Sequence, residues 1–541
     1  MRIQATQINA IIGDLEGNFQ KVAAKLESAR KAHVDIVLFP ELTLIGYPPE
    51  DLLLDAEFIE AVEKKLQALI PLTKGLFVAV GLVRKARGEK PLHNSAAILI
   101  DGNLVGFQDK ALLPTYDVFD ERRFFEPGRG SAIFAYKGQR IGVTICEDAW
   151  QHAGAIRYAD YPRDPIEQLA SEKIDLLLNL SASPYHFSKL SDRISVFSKC
   201  AKTLACPVVM CNQVGAHDQL VFDGYSFCVN KRGELSALAK GFVEEDLVVD
   251  VALTASLSHS QDGIEDLFSA LVLGVRDYFQ KQGFSKAILG LSGGIDSAVT
   301  ACIAKTALGA ANVKALNMPS RYSSKGGQVD AALLAHHLGI SMDVISIEPL
   351  FQPFLDTLSP FFVGKAEDIT EENLQSRVRG MLLMAFSNKL GSLVLTTGDK
   401  SEMAMGFTTL YGDMVGGLGV LQDVTKTNVY RLARYINKAK EIIPEAILTK
   451  PPSPELKHGQ TALDRMPAYE VLDPILEDYL EEWLSPKEIA VKRGQPLAVV
   501  EEILHRLHAA EYKRRQAPIG IRVTSKAFSR GRLVPIVQKW R

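Results

Sequence analysis

The sequence predicts an α/β protein of two domains, an N-terminal α/β layered sandwich and a C-terminal doubly wound parallel sheet. The chain has 541 residues, which is too long for one hydrophobic core. Short apolar runs bounded by turns fill the first half, whereas strands alternate with helical patterns in the second half. A polar stretch of small residues at 253–263 is the predicted linker, so the domains are predicted at 1–252 and 264–541.

The composition indicates an ordinary soluble enzyme. Hydrophobic residues make up 47% and charged residues 23% of the chain, and the net charge of −3 gives no basic field for nucleic acid. No apolar run is long enough to span a bilayer, so we expect neither a nucleic-acid nor a membrane partner. The six cysteines form no C-x-x-C pair, which disfavours zinc or thioredoxin-like chemistry and favours a reduced, cytoplasmic protein.

The elements of the first half follow from its apolar runs. Helical patterns are present in NFQKVAAKLESARKA and AEFIEAVEKKLQALIPL. Several predicted strands are apolar on both faces, so they are expected to be covered on both sides. The predicted strands are RIQATQINA, VDIVLFPELT, LFVAVGLV, SAAILIDG, RIGVTICED, IDLLLNLSAS, CPVVMCNQVG and LVFDGYSFCVN.

The elements of the second half predict a parallel sheet. It begins with an amphipathic helix, IEDLFSALVLGVRDYFQKQG, and continues with AILGLSGGIDSAVTACIA, which has the order strand, glycine turn, helix. Further strands are predicted in VKALNMPS, SMDVISIE and SLVLTTGD, with helical patterns between them. The C-terminal stretch of about 90 residues is charged and is predicted to be helical.

Three residues at the ends of apolar runs in the first half predict a nucleophilic site. Cys146 follows RIGVTI, Glu41 follows DIVLFP, and Lys110 lies in VGFQDKALLPTY. A thiol nucleophile needs a base to remove its proton and a cation to stabilise developing negative charge, which a glutamate and a lysine can supply. Pairing of the cysteine with His152 or His186 is the alternative, but the sequence places neither beside it.

The segments FPELTLIGYPPEDLL, KALLPTYDVFDERRFFEPG and GVTICEDAW resemble the Glu, Lys and Cys segments of the nitrilase superfamily, in its glutamine-hydrolysing branch. The resemblance implies a four-layer α-β-β-α sandwich. It implies Glu41 as general base, Lys110 as stabiliser of the tetrahedral intermediate, and Cys146 as the nucleophile that forms a γ-glutamyl thioester. It also implies three glutamine contacts, namely Tyr116, Ser183 and Lys189.

The stretch GLSGGIDS predicts a phosphate site in the second half. It matches neither G-x-G-x-x-G nor the Walker loop, because the lysine that reaches the β- and γ-phosphates is missing. Backbone N–H groups, the hydroxyls of Ser292 and Ser297 and a helix start remain, which suits a leaving pyrophosphate. Asp296 would repel phosphate unless Mg²⁺ bridges the two. A plain strand–turn–helix connection, with glycines chosen for positive φ, is the alternative.

This loop resembles the pyrophosphatase-type loop of enzymes that adenylate a substrate. The segments MPSRYSS, EENLQSRVRGMLLM, TTGDKSEMAMGFTTLYGD and DVTKTNVYRLARY look like those of the NAD synthetase family. The whole chain therefore resembles the glutamine-dependent NAD⁺ synthetases, in which a nitrilase-like domain is fused to a Rossmann-like domain of the adenine nucleotide alpha hydrolase type. The resemblance implies a ligase whose substrates are glutamine, ATP and deamido-NAD⁺, with Mg²⁺ as cofactor.

The same resemblance implies the residues of the second site. The implied ATP contacts are Gly290, Leu291, Ser292, Gly293, Gly294, Ile295, Asp296, Ser297 and Thr397. The implied deamido-NAD⁺ contacts are Asn373, Glu402 and Lys513, and the implied Mg²⁺ ligands are Asp296 and Glu402.

The implied reaction joins the two halves. Ammonia released at Cys146 would travel through an internal channel to an acyl-adenylate of deamido-NAD⁺, formed as ATP becomes AMP and pyrophosphate. The resemblance also implies a homo-oligomer. Two alternatives stay open, an adenylating amidotransferase that acts on another carboxylate and a nucleotide-sensing module attached to a simple amidase.

Overall fold

The structure, a computed structural model, describes residues 1–156, 159–252, 256–257 and 263–540. The chain divides into two compact units, Met1–Gln261 and Asp262–Arg541. Most of the predicted linker, residues 253–255 and 258–262, lies outside the described residues. Within the described ranges, no helix is both long enough and apolar enough to cross a membrane.

The described part of the first unit contains fourteen strands and four α-helices. The strands are β1 (Arg2–Gln7), β2 (Ile36–Leu38), β3 (Phe77–Lys85), β4 (Leu92–Ile100), β5 (Asn103–Asp109), β6 (Ile133–Tyr136), β7 (Gln139–Ile145), β8 (Leu176–Ser181), β9 (Val208–Asn212), β10 (Val214–His217), β11 (Leu220–Asp223), β12 (Phe227–Val229), β13 (Leu235–Leu238) and β14 (Glu245–Asp250). The helices are α1 (Leu15–Lys31), α2 (Ala56–Leu69), α3 (Pro165–Glu172) and α4 (Lys189–Leu204).

Two six-stranded sheets form the middle of this unit. Their strand orders are β14-β1-β2-β3-β4-β5 and β13-β12-β9-β8-β7-β6, with parallel pairing inside β1-β2-β3 and β7-β8-β9. The sheets share one apolar core, to which β2 contributes Ile36 and Leu38, and β8 contributes Leu178. The opposite faces are covered by α1 and α2 on the first sheet and by α3 and α4 on the second. The predicted α-β-β-α order is confirmed, and it explains why these strands are apolar on both faces.

The described part of the second unit contains six strands and twelve α-helices. The strands are β15 (Ala287–Gly290), β16 (Val313–Asn317), β17 (Ser341–Val344), β18 (Leu393–Thr396), β19 (Leu418–Gly419) and β20 (Ile519–Gly520). The helices are α5 (Gly263–Gln282), α6 (Ile295–Leu308), α7 (Lys325–Leu338), α8 (Glu348–Leu358), α9 (Ile369–Leu390), α10 (Lys400–Met405), α11 (Lys426–Ile436), α12 (Glu445–Thr449), α13 (Tyr469–Leu480), α14 (Pro486–Arg493), α15 (Leu497–Ala509) and α16 (Glu511–Arg514).

The strands of this unit form one sheet in the order β17-β16-β15-β18-β19-β20, and every pair in it is parallel. The chain builds outward from β15 in one direction and from β18 in the other, so the predicted doubly wound sheet is confirmed. The strand order reverses between β15 and β18. Open α/β sheets bind ligands beyond the carboxyl ends of the strands at such a point, which is where GLSGGIDS and TTGDKSE lie.

Helices α10, α13 and α15 form a separate apolar cluster beside this sheet. Ala404 and Met405 of α10 pack against a group from α13 and α15 that includes Leu472, Ile475 and Leu504. This cluster holds the short helix that follows β18 close to the point of strand reversal.

Candidate active sites

A buried lysine lies between two carboxylates in the first unit. Lys110 Nζ donates hydrogen bonds of 2.7 Å to Glu41 Oε1 and 2.7 Å to Glu121 Oε1. Asn94 Nδ2 donates to Glu41 Oε1 at 2.7 Å, and the N–H of Ala182 donates to Glu41 Oε2 at 3.0 Å. These contacts fix the Glu41 carboxylate from several elements of the fold, as preorganised catalytic groups require.

The electrostatics keep Lys110 charged. Burial by itself lowers the pKa of this lysine, but Glu121 and Glu41 outweigh burial and raise it well above its ordinary value. Burial raises the pKa of Glu121, although Lys110 opposes this, and Tyr47 Oη donates to Glu121 Oε1 at 2.8 Å. Sequence reasoning missed Glu121, because it lies in the charged run DERR, which is typical of a solvated surface.

Cys146 follows β7 directly and begins the short 3₁₀ turn Cys146–Ala149. Its φ is +44°, a left-handed conformation that a residue with a side chain rarely adopts and that is common at functional sites. Burial raises the pKa of its thiol, the negative charge of Glu41 raises it further, and Lys110 opposes both. The thiol is therefore protonated at rest and needs a base, and the structure brings Glu41, Lys110 and Cys146 into one site.

Asp148 ties the lysine segment to the cysteine turn. Asp148 Oδ1 accepts the N–H groups of Ala111 and Leu112, each at 2.9 Å, and its Oδ2 accepts the N–H of Ile145 at 2.9 Å. Burial raises its pKa to about 7, although these three hydrogen bonds oppose that shift. Asp148 therefore fixes the backbone beside two of the three predicted catalytic residues.

The predicted glutamine contacts lie at the edge of this site. Tyr116 Oη donates to Glu147 Oε1 at 2.7 Å. Lys189 Nζ lies 4.0 Å from the ring centroid of Trp150, and burial, with a further contribution from Arg193, lowers the pKa of this lysine to about 8.

Ser183 is buried at the carboxyl end of β8. Its backbone N–H donates to Asn212 Oδ1 at 2.9 Å, and its carbonyl oxygen accepts from Asn212 Nδ2 at 3.3 Å. The asparagine thus holds the segment after β8 in place.

In the second unit, the loop between β15 and α6 is built around close backbone contacts. Gly293 has a φ of +80°, and a Cβ there would lie 2.1 Å from the carbonyl oxygen of Gly327, so only glycine fits. Gly294 precedes α6 and has no side chain to cap it, and its N–H donates to Ser292 Oγ at 3.2 Å. Exposed N–H groups at such a helix start are suited to an anion.

A lysine joins three carboxylates beside this loop. Lys426 Nζ lies 2.8 Å from both carboxylate oxygens of Asp296. It also lies 2.6 Å from Asp399 Oδ2 and 3.1 Å from Glu402 Oε1. Carboxylate oxygens of Asp296, Asp399 and Glu402 lie within 4.8 Å of one another, and hard oxygen donors in this arrangement fit Mg²⁺.

Burial and mutual repulsion dominate the electrostatics of this group. Burial raises the pKa of Asp399, and Glu402 raises it further. Burial also raises the pKa of Glu402, although Lys426 opposes this. Burial alone lowers the pKa of Lys426, but Asp296, Asp399 and Glu402 raise it well above its ordinary value. A divalent cation would relieve the same repulsion, because it adds positive charge among the three carboxylates.

A cavity of about 330 Å³ opens at this point. Its lining includes residues of GLSGGIDS, MPSRYSS and TTGDKSEMAMGFTTLYGD. Thr397 and most of the loop from Gly290 to Ser297 belong to the lining, as do Lys450 to Leu456.

Two predicted deamido-NAD⁺ contacts, Asn373 and Lys513, are not among the residues that line this cavity. Asn373 Oδ1 accepts from Thr409 Oγ1 at 2.8 Å. Lys513 Nζ donates to the carbonyl oxygens of Gly406 and Thr408, each at 2.7 Å.

Sequence reasoning did not single out Asp399 or Lys426, although both lie in segments that carry the resemblance. Each stands at the start of a helix, Asp399 as the cap of α10 and Lys426 as the first residue of α11. Such positions usually have structural or solvent-exposed side chains, so only the fold shows that these two meet.

Two family descriptions match the chain. The carbon-nitrogen hydrolase description matches residues 2–258, and the NAD synthase description matches residues 267–517.

Curated relatives align over nearly the whole chain. A glutamine-dependent NAD(+) synthetase of Thermotoga maritima is 42% identical over 100% of this chain and 99% of its own length. One of Synechocystis sp. is 44% identical over 99% of this chain and 98% of its own length. The solved structure of a glutamine-dependent NAD⁺ synthetase from Acinetobacter baumannii, in complex with ADP, is 40% identical. It covers 100% of this chain and 99% of its own, with a TM-score of 0.78.

Proposed function

The chain belongs to the family of glutamine-dependent NAD⁺ synthetases, and from this premise we propose that it transfers the amide nitrogen of glutamine to deamido-NAD⁺ while ATP is converted to AMP and pyrophosphate. The observation that carries the proposal is that one chain holds a buried Glu–Lys–Cys site and a glycine loop at the switch point of a doubly wound sheet. We assign the first reaction to residues 1–252 and the second to residues 264–541.

In the first unit, the sulfur of Cys146 attacks the side-chain carbonyl carbon of glutamine. Glu41 accepts the thiol proton and returns it to the leaving nitrogen, so ammonia departs and a γ-glutamyl thioester remains. Lys110 donates a hydrogen bond to the carbonyl oxygen, on which negative charge develops. Water, deprotonated by Glu41, then attacks the thioester, and glutamate and the free thiol result. The raised pKa of the thiol supports this order, because a protonated nucleophile requires a base.

Recognition of glutamine is assigned to Tyr116, Ser183 and Lys189. The ammonium of Lys189, held over Trp150 at 4.0 Å, is suited to the substrate carboxylate. Tyr116 is held by its hydrogen bond to Glu147, the residue next to the nucleophile.

In the second unit, a carboxylate oxygen of deamido-NAD⁺ attacks the α-phosphorus of ATP, and the bond to the bridging oxygen of pyrophosphate breaks. The glycine loop from Gly290 to Ser297 and Thr397 bind ATP, and the loop receives the departing pyrophosphate. Ammonia then attacks the acyl-adenylate, AMP leaves, and the amide of NAD⁺ forms. We assign Asn373, Glu402 and Lys513 to deamido-NAD⁺ binding. Lys513 acts through the segment around Gly406, to which it is bonded.

Asp296 and Glu402 are the proposed Mg²⁺ ligands, and Asp399 is suited to be a third. When bound, the ion supplies positive charge that neutralises the phosphates. Lys426 holds the three carboxylates together through direct contacts.

Ammonia is delivered from the first unit to the second without mixing with solvent. The chemical reason is that ammonia in neutral water is mostly ammonium, which has no lone pair with which to attack the adenylate. An internal channel, as the sequence resemblance implies, meets this requirement.

A homo-oligomer is proposed from an apolar surface of the second unit. Helix α8, the turn after it and α9 expose apolar residues to solvent, and α8 packs on α9. We call this the α8–α9 apolar surface, and it consists of Leu350, Phe354, Phe361, Val363, Met381 and Met384. Exposure of this kind is typical of an interface, and a second copy of the chain is the proposed occupant.

The cytoplasm is the proposed location. All six cysteines of the chain are free thiols, which is typical of a reducing compartment.

The assay that tests the proposed reaction measures all products at once. The purified chain is given ATP, Mg²⁺, glutamine and either deamido-NAD⁺ or another carboxylate, for example a purine nucleotide precursor. NAD⁺, AMP and pyrophosphate in equal amounts, with deamido-NAD⁺ alone, support the proposal. Adenylation of the other carboxylate would favour the second amidotransferase, and glutamine hydrolysis without AMP would favour a sensor module.

A further inference from the structure

Two buried residues fasten together the helices that carry Glu402 and Lys426. Ser401, the neighbour of Glu402 in α10, donates from Oγ to Asp473 Oδ1 in α13 at 2.5 Å. Ser401 Oγ also accepts the backbone N–H of Lys426 at 3.0 Å. Asp473 Oδ2 accepts the N–H of Thr427 at 2.8 Å. Asp473 therefore joins α10 to the first turn of α11.

The contacts of Asp473 and Ser401 replace the missing cap of α11. The first N–H groups of a helix have no partner within it, and the cap residue Thr425 makes no side-chain cap bond. Ser401 and Asp473 accept the first two of these N–H groups instead. A carboxylate near a helix N-terminus is also stabilised by the helix dipole. Ser401 is 0% and Asp473 1% exposed, so water cannot substitute for these bonds.

Helix α10 depends on outside contacts of this kind. It has six residues, and a helix this short is not stable by itself. Asp399 caps it by accepting the N–H of Glu402 at 2.9 Å. Lys400 holds its other side through Thr524 Oγ1 at 2.7 Å and Asp423 Oδ1 at 2.9 Å. Ser401 ties α10 to α13 through its bond to Asp473, and it ties α10 to α11 through the bond that it accepts from the N–H of Lys426.

We propose that Asp473 is a positioning residue for the synthetase reaction, which sets the separation of the Glu402 carboxylate and the Lys426 ammonium through Ser401 and the α11 backbone. Among the described residues that line the cavity, neither Asp473 nor Ser401 occurs. Asp473 therefore acts on phosphate and metal binding through its neighbours, and this role rests on the proposed function of the second unit.

The test replaces Asp473 and a matched carboxylate of the same helix. Asp473→Asn keeps the shape of the side chain but replaces one acceptor oxygen by an NH₂ group, so either Ser401 Oγ or the N–H of Thr427 loses the oxygen to which it donates. Asp478→Asn is the control. Asp478 is also buried in α13, but it pairs with Lys492 at 2.7 Å and Arg493 at 2.6 Å of α14, away from α10 and α11.

Two properties of the full-length variants are compared with the wild type, Mn²⁺ binding and the KM for ATP. Mn²⁺ binding is measured by electron spin resonance with ATP and without deamido-NAD⁺, and the KM for ATP is measured with ammonium as nitrogen source. We expect Asp473→Asn to weaken Mn²⁺ binding and to raise the KM, each about tenfold. Asp478→Asn should change neither Mn²⁺ binding nor the KM for ATP, even if it lowers the unfolding temperature as much as Asp473→Asn does.

Equal Mn²⁺ affinity and equal KM in the two variants would overturn the positioning role, because the carboxylate would then serve stability alone. If the wild type binds no Mn²⁺, the KM for ATP decides by itself. If the wild type makes no NAD⁺ from ammonium, the proposed function is overturned. The comparison of ATP-dependent Mn²⁺ binding in the two variants would still decide the role of Asp473.

Discussion

At the scale of single residues, charge pairing decides how each site is prepared. Lys110 is buried and stays charged because Glu41 and Glu121 both accept from it at 2.7 Å. Cys146 is buried beside the same carboxylates and stays protonated. In the resting site, a neutral thiol therefore lies next to a base and a cation. In the proposed reaction, glutamine places its carbonyl oxygen against the lysine before the thiol attacks.

We expect Lys189 to make glutamine binding depend on pH. Its pKa is lowered to about 8, mainly by burial, so the ammonium is present below that pH and is lost above it. If it binds the substrate carboxylate, the KM for glutamine should rise roughly tenfold between pH 8 and pH 9.5. Steady-state hydrolysis of glutamine across this range is the measurement.

Lys189→Arg is the matched variant for this prediction, because a guanidinium stays charged throughout the range. Its KM for glutamine should not change with pH. A wild-type KM that is flat from pH 7 to pH 9.5 would remove Lys189 from the glutamine site.

At the scale of elements, the long or strongly patterned segments could be predicted from the sequence. The strand, turn and helix of AILGLSGGIDSAVTACIA are β15, the glycine loop and α6. The run LVFDGYSFCVN was predicted as one strand, but it forms β11 and β12, since Gly224 and Tyr225 both have positive φ and turn the chain. The strands β19 and β20 have two residues each, which is too short for any periodic pattern.

The site residues also differ in whether the sequence predicts them. Glu41, Lys110 and Cys146 are recognised in the sequence because the segments around them resemble those of the nitrilase superfamily, whereas a position at the end of an apolar run is by itself also typical of structural residues. Glu121 lies in a charged run and Lys426 at a helix start, and neither position indicates an active site. Glu121 pairs with Lys110 only 11 positions away, whereas Lys426 and Asp296 are separated by 130 positions. No local pattern encodes such a pairing.

The glycine loop before α6 depends on Gly293 more than on its neighbour. Gly293→Ala would place a Cβ 2.1 Å from the Gly327 carbonyl oxygen at a φ of +80°, so the loop must move. We expect the KM for ATP to rise about tenfold or more, with glutamine and with ammonium alike, because the N–H groups no longer converge on the phosphates. The KM for ATP is measured from steady-state rates of NAD⁺ synthesis at a series of ATP concentrations.

Gly294→Ala is the control for this prediction. The φ of Gly294 is −91° at this helix cap, and an added Cβ would come no closer than 3.3 Å to Ser292 Oγ. We expect a smaller rise in the KM for ATP for Gly294→Ala. An equal rise for the two variants would show that the loop conformation does not depend on Gly293 in particular.

At the scale of the whole molecule, the α8–α9 apolar surface should hold two copies of the chain together. Met381 is 55% exposed on α9, and a glutamate there would bring an unpaired charge into the interface. Met381→Glu should lower the mass measured by analytical ultracentrifugation to that of a smaller assembly. Val491→Glu, at an 85% exposed position on α14, should leave the mass unchanged. An unaltered mass in Met381→Glu would exclude this surface as the interface.

In the whole molecule, we assign nitrogen release and nitrogen use to separate units of one chain. Each unit has its own core and its own buried charge cluster. Removing the nucleophile of the first unit should therefore spare the chemistry of the second, provided that ammonia is supplied from outside.

The most direct test of this separation is NAD⁺ formation by Cys146→Ala with glutamine and with ammonium as nitrogen source. Synthesis from glutamine should fall by about 10³-fold or more, since no thioester can form, while synthesis from ammonium should stay within about twofold of the wild type. Asp296→Ala should lose both activities. Loss of both activities in a folded Cys146→Ala variant, or synthesis from glutamine that survives the substitution, would contradict the assignment of nitrogen release to Cys146 and of nitrogen use to the second unit.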